Sequence, residues 1–310
     1  MSIQGWIGLL IFAPLSLFAQ LRDTVDGRVI TLSEIVIRKN TDVRGFVEKV
    51  KKDTSFYKAF KNLRILEFTS YNDIRMFDRK GRVSASLQSH TRQERTGNCR
   101  VTKKINEETT GDFYAADGSY NYYTAALYSS LFWSFTPVCG ETNKVESDLG
   151  GLSGLSGTER HKQQLKMLFF NPGMRIPGIP LMGDKAALFD DDMSKWYNFS
   201  IDIAEKGGHL CYVFTVTGKT REEGGDPGML VIDRMTTWFD YTDFDVLSRN
   251  YALSYKAGVY SFDVDMDVEL SRYKGLLVPS VIRYNGGWKL ITRKKEQGVF
   301  TATLTDFAGR

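Results

Sequence analysis

Phe262-Asp263-Val264-Asp265-Met266-Asp267-Val268-Glu269-Leu270 alternates an apolar with an acidic side chain at every step. Successive side chains of a strand point to opposite faces, so this run reads as a strand with one buried apolar face and one carboxylate face. The pattern continues outward on both sides. Phe199, Ile201 and Ile203 alternate with polar positions, and Glu205-Lys206-Gly207-Gly208 turns the chain into Leu210, Tyr212, Phe214 and Val216. Further strands are predicted over 229–240, 246–256, 259–270, 276–285, 288–294 and 298–307, with Asn285-Gly286-Gly287 as a hairpin turn. Connections this short suit antiparallel pairing. No unit repeats, which excludes a propeller or solenoid.

Upstream of this meander the period changes. Val43, Phe46, Val47, Val50, Tyr57 and Phe60 recur at helical spacing, predicting an amphipathic helix over 42–61 with a break near Asp53-Thr54. From Arg38 to Arg64 nine basic residues face three acidic ones, an excess of +6 against +4 for the whole chain. A basic amphipathic helix can lie on an anionic membrane, but such helices more often pack their apolar stripe on a sheet, and peripheral membrane contact is not favoured. Strands are predicted over 64–77 and 82–89, joined by Asp78-Arg79-Lys80-Gly81, and a short one over 32–37. Tyr120, Tyr123, Leu127, Leu131 and Phe135 match a further helix. Residues 140–183 hold eight of the 28 Gly and three of the seven Pro and read as irregular, with a short helix from Thr158 to Phe170.

Residues 2–21 carry no charged side chain, and their apolar run ends at Leu17-Phe18-Ala19. This is the pattern of a secretory signal peptide cleaved after Ala19 or Gln20; Pro14 interrupts it, and the run is short of the roughly 20 residues a membrane anchor needs. The expected organisation is a signal peptide over 1–20, an extension over 21–41, and one domain over 42–310 with its irregular insertion at about 140–183. Export permits a disulfide. Cys99 and Cys139 both sit in loop-like stretches and are the favoured pair, whereas Cys211 lies inside a strand pattern; three unpaired thiols are the alternative. Twenty Phe, fifteen Tyr and five Trp against seven Pro suit a strand-rich globular chain. The small net charge of +4 gives no footprint for nucleic acid.

The order of elements is a helix, a hairpin, a helical interruption, then a long meander with Gly275-Leu276-Leu277-Val278-Pro279 in one strand. It resembles the outer-membrane lipoprotein carrier (LolA-like) superfamily. The texture of Phe56 to Arg95 and of Trp196 to Trp288 also looks like a family of uncharacterised exported proteins of the Bacteroidota. The resemblance implies an α+β, mainly antiparallel fold: a curved half-barrel wrapped around helices and sheltering an apolar cavity. It also implies a place in the periplasm or at the outer-membrane periphery.

No local signature carries catalysis. His90, His161 and His209 are isolated, no Cys-x-x-Cys exists, and neither a metal nor a cofactor is expected. Gly151-Leu152-Ser153-Gly154-Leu155-Ser156-Gly157 lacks the Gly spacing of a nucleophile elbow, and Gly218-Lys219-Thr220 lacks the rest of a phosphate loop. Asp263, Asp265, Asp267 and Glu269 share one face about 7 Å apart. They could flank a glycosidic bond or collect calcium, but a solvated face neutralised by Arg249, Lys256, Arg283 or Lys289 is the simpler reading. What remains is apolar surface. Tyr120, Tyr123, Leu127, Leu131 and Phe135 either fill the half-barrel or line a cavity in it. The leading expectation is an exported, non-enzymatic binding or carrier protein for a lipid, acylated peptide or other apolar ligand. The alternatives are an envelope scaffold with a self-filled barrel, partnered by another envelope protein, and an enzyme acting on carbohydrate or peptide.

Overall fold

The computed structural model describes residues 43–145, 164, 166–176, 182–257, 260–290 and 295–309, which fall in one compact unit beginning at Ile35. The predicted leader with Ala19 and Gln20, the strand over 32–37, the Gly151–Gly157 run, His161 and most of the helix from Thr158 lie outside the described residues.

Eleven strands form one open, curved antiparallel sheet. In chain order they are β1 (Glu67–Phe77), β2 (Val83–Thr96), β3 (Cys99–Thr110), β4 (Val138–Cys139), β5 (Tyr197–Lys206), β6 (His209–Gly218), β7 (Ile232–Asp240), β8 (Val246–Ala257), β9 (Tyr260–Tyr273), β10 (Leu276–Leu290) and β11 (Glu296–Ala308). The spatial order is β4-β3-β2-β1-β11-β10-β9-β8-β7-β6-β5. Every neighbour follows its partner in sequence except β1 and β11, which join the N-terminal strands to the meander through pairs such as Asp73 with Thr301. Turn chemistry sets the hairpins. Gly207 and Gly208 both adopt positive φ at the β5–β6 turn, as a tight turn matching strand twist requires. Asp78 accepts the Lys80 and Arg82 backbone N–H groups at 2.8 and 3.0 Å to build the β1–β2 turn.

Three helices cover the concave face: α1 (Val43–Lys52), α2 (Ser55–Asn62) and α3 (Tyr123–Phe132). The break between α1 and α2 falls at Asp53, whose carboxylate accepts from the Ser55 backbone N–H at 3.1 Å and hydroxyl at 3.0 Å. Phe46 of α1 meets the rings of Tyr212, Phe214, Phe239 and Phe244, and Val50 and Phe56 are buried. The sheet supplies the other half of the core from alternate positions, including Phe262, Val264, Met266 and Val268 of β9. Each such side chain contributes about 1.5–3 kcal/mol by leaving water.

Several expectations change. Asn285-Gly286-Gly287 is not a turn but the middle of β10, paired on both sides. Glycine is needed because a Cβ on Gly286 would stand 2.7 Å from the Asp263 carbonyl oxygen and 2.8 Å from Val264 Cγ2. Residues 99–110, for which no strand is predicted, form β3, whose Lys103, Lys104, Ile105 and Asn106 are exposed. The β9 carboxylates do face outward, but of the four proposed partners only Arg283 makes an ion pair with them among the described residues, to Asp267 at 3.1 Å. Lys206 holds Glu269 at 3.1 Å instead. Arg249 lies on the inner face, where its parity with Tyr251 and Leu253 puts it. Its Nε donates to Thr237 Oγ1 at 2.8 Å, its guanidinium sits 4.4 Å from the Phe56 ring, and burial lowers its pKa to about 10. The α2 lysines are not a uniformly solvated face either, since Lys61 is buried over the Tyr57 ring.

Because α1 is held by its apolar stripe, Phe46→Asp or Val50→Asp should cost more than about 3 kcal/mol in a denaturant melt. Replacing Lys51 and Lys52 with Gln should change stability by less than about 0.5 kcal/mol each. Retained stability in Val50→Asp would reject this packing.

Candidate functional site

Among the described residues, the concave side of the sheet holds an amphipathic cleft beneath α2 and α3, with a cavity of about 70 Å³. Helical periodicity explains its walls. Tyr57, Phe60, Lys61 and Arg64 recur on one side of α2 and its continuation, while α3 turns Tyr128 and Leu131 inward. Phe68 of β1 and Ala302 and Leu304 of β11 form the floor, and Phe170, at the end of the helical residues 166–170, stacks on Phe60 with ring centroids 4.2 Å apart. A second apolar cavity, about 10 Å³, lies deeper, between Leu127 and Phe169. Tyr128, Leu131, Phe132 and Phe170 line both, so four side chains form the partition.

The floor is polar toward β2. Ser70, Asn72, Ser89 and Thr91 are buried on the inner face, and the Tyr128 hydroxyl donates to Asn72 Oδ1 at 2.9 Å. Asn72 Nδ2 in turn donates to the Ser70 carbonyl at 3.2 Å and Ser89 Oγ at 3.3 Å. Burial pushes the Tyr128 phenol far above its ordinary pKa, so it remains a neutral donor. Gln93 is satisfied separately: Nε2 donates to the Leu63 and Leu66 carbonyls, both at 2.7 Å, and Oε1 accepts from Arg100 at 3.1 Å.

The mouth is charged. Arg100 Nε donates to Glu141 Oε2 at 2.5 Å, and Arg64 stands 3.6 Å from the other oxygen. Partial burial pushes the Glu141 carboxyl upward, but Arg100 and Arg64 outweigh it and hold the group below its ordinary value. A covalent bond fixes this pair: Cys99, next to Arg100, is disulfide-bonded to Cys139, two residues before Glu141, across the β3–β4 ladder. Cys211 is a buried free thiol donating to the His209 carbonyl at 3.3 Å, and burial pushes its pKa up.

The structure separates the residues that sequence spacing grouped. Leu131 lines the cleft and Leu127 the deeper cavity. Tyr120 precedes α3 and joins a cluster with Phe113 and Tyr114, whereas the Tyr123 ring meets Trp288 at 6.3 Å. Phe135 is 40% exposed, because α3 ends at Phe132 and the helical phase is lost beyond it. Sequence reasoning missed Phe132, Phe170, Arg64, Arg100 and Glu141 as lining residues. Phe132 follows Leu131 in the helical pattern and widens its apolar face, but nothing local to the charged residues foretells their convergence. Among the described residues no group of three His, Cys, Asp or Glu could hold a metal.

No family model and no curated protein matches this chain. Among solved structures, it is similar to a domain provisionally described as an outer membrane lipoprotein-sorting protein from Vibrio parahaemolyticus, at 7% identity and TM-score 0.30, covering 87% of this chain and 94% of that one. A LolA superfamily protein from Nitrosomonas europaea matches at 9% identity and TM-score 0.25, covering 87% and 94%. A DUF1329 family protein from Desulfovibrio piger matches at 11% identity and TM-score 0.25, covering 83% and 94%. The fold class is carried by the chain's own strand order and register.

Two measurements test the mouth. The bridge closes a span of 40 residues, so Cys139→Ser should lower stability by about 4 kcal/mol in denaturant melts. Glu141, with its pKa lowered in the fold, stabilises at pH above its unfolded value, and that contribution is lost as pH falls through the lowered value. Glu141→Gln should therefore flatten the acid limb of the stability profile; an unchanged limb would show the pair to be idle.

Proposed function

We propose that this is an exported, non-enzymatic binding protein of the cell envelope whose cleft takes an apolar chain bearing a polar head, as in a lipid or an acylated peptide. The carrying observation is the cleft's polarity gradient. Its inner walls are Phe60, Leu131, Phe132, Phe170 and Leu304, and its mouth is Arg64, Arg100 and Glu141. Burying a chain on those walls gains about 25 cal/mol per Å², while the mouth keeps a headgroup in polar contact. Export is supported by the signal-like leader and by the Cys99–Cys139 bridge, since such bonds persist in oxidising compartments. No helix among the described residues is long and apolar enough to cross a membrane.

A cavity of about 70 Å³ is far below the ~300 Å³ of ordinary ligand pockets, so uptake requires the partition to move. Swinging Phe132 and Phe170 aside would join the two cavities along the concave face. The small volume also favours a second reading, a scaffold whose half-barrel is filled by its own side chains and whose partner is another envelope protein.

Titration with the fluorescent fatty acid cis-parinaric acid separates the two. Binding should be detectable in the wild type, tighten about tenfold in Phe132→Ala as the partition opens, and vanish in Leu131→Trp, with about 1.4 kcal/mol per tenfold step. Organic extraction of protein from its own envelope should release an amphiphile. Absence of both signals, with crosslinking to one stoichiometric protein, would establish the scaffold instead.

A further inference from the structure

The opposite, outer face of the sheet carries a feature that the cleft does not use. Directly paired residues on neighbouring strands share a face, and the register aligns Glu108, Gln88, Asp73, Thr301, Arg283 and Asp267 across β3-β2-β1-β11-β10-β9. This row of hydrogen-bonding side chains crosses five inter-strand gaps, a length of about 24 Å. It coincides with two depressions. One, of about 420 Å³, is lined by the β3-to-β11 half of the row; the other, of about 290 Å³, by the β11-to-β9 half, and Thr301 belongs to both.

Four observations distinguish this trough from a merely solvated sheet face. Beside the row, Tyr71 is 50% exposed and lies flat on His90, with centroids 4.4 Å apart and planes at 13°. The two are directly paired across β1 and β2, so the stack holds the Tyr71 ring as a fixed plane beside the row. The His90 Nε2 atom, in the wall of the first depression, is buried with no hydrogen-bond partner among the described residues. A bulge in β2–β3 between His90 and Thr91 shifts the register beside it. Finally, two arginines of the trough are already engaged within the sheet: Arg75 grips both Asp73 oxygens at 2.9 and 2.6 Å, and Arg283 and Asn250 hold Asp267 at 3.1 and 2.9 Å, while Glu108 and Asp265 add further carboxylates.

We propose that this trough is a binding site for a neutral polysaccharide. An uncharged polyhydroxylated chain offers alternating apolar C–H faces for the Tyr71 plane and hydroxyls that both donate and accept. The row answers with carboxylate acceptors, a guanidinium donor, and the amide of Gln88 and hydroxyl of Thr301, which do both. The run across six strands suits an extended polymer rather than a single sugar. The carboxylates and the engaged arginines disfavour a polyanion, which would have to compete with Asp73 and Asp267 for Arg75 and Arg283.

Affinity electrophoresis of the folded protein through gels containing dextran, mannan or xyloglucan, with polygalacturonate as the anionic arm, tests the site. At least one neutral gel should retard the wild type, and Tyr71→Ala should weaken that retardation by about tenfold, while Tyr71→Phe retains it. Gln88→Ala should weaken it as well, with the melting temperature and cis-parinaric acid titration unchanged in all three variants. Retardation by no neutral polymer, retardation by polygalacturonate alone, or retardation that survives Tyr71→Ala with a normal melting curve would overturn the proposal.

Discussion

The pairing of β1 with β11 is the constraint on which the remaining structure depends. Every other adjacent pair comes from neighbouring segments of chain, but this ladder joins Glu67–Phe77 to Glu296–Ala308. Without it the sheet would be two separate pieces, each with an unpaired edge where its centre should be. The inner face of the seam supplies Phe68, Ser70, Ala302 and Leu304 to the cleft, while the outer face supplies Asp73 and Thr301 to the polar row. Both sites therefore meet at one seam, on opposite sides of a single layer of backbone.

That shared layer explains how two chemistries coexist. From Ser70 onward, past the irregularity at Glu67–Thr69, alternation sends even-numbered β1 residues to the core and odd-numbered ones outward, so Asn72 and Asp73 serve opposite faces although they are neighbours. The inner face changes character along the sheet. It is aromatic and aliphatic under α1, where Phe214 and Phe239 receive Phe46, and hydroxyl- and amide-rich near β2, where Ser89, Thr91 and Gln93 are buried. Buried polar groups of this kind are tolerated because their partners lie within the same network.

Legibility in the sequence followed burial. The β9 nonapeptide has one face buried from Phe262 to Val268 and one outward face, and its period could be read directly. The β1–β2 turn announced itself through Asp78 and Gly81, and the α1–α2 break through Asp53. β3 was illegible because it lies near an edge, where β4 covers only Cys99 and Arg100, so little apolar alternation is required of it. Asn285-Gly286-Gly287 misled because two constraints select glycine: a turn needs its torsional freedom, whereas here the β9 backbone needs its missing side chain. The cleft was only half legible. Leu127 and Leu131 follow from helical spacing, but Arg100 and Glu141 meet through tertiary closure that no local pattern records.

The Cys99–Cys139 bridge has a consequence in time as well as in space. Its two cysteines both precede β5, whereas the floor of the cleft requires β11, the last strand made. Under oxidising conditions β3 can be joined to β4 before any of the meander exists, and loop closure over forty residues costs about 1.5 kcal/mol less than closure over the span from β1 to β11. The entrance can thus close ahead of the room behind it. During that interval β1 has no neighbour on one side, and the final strand arrives as the piece that ends the exposure.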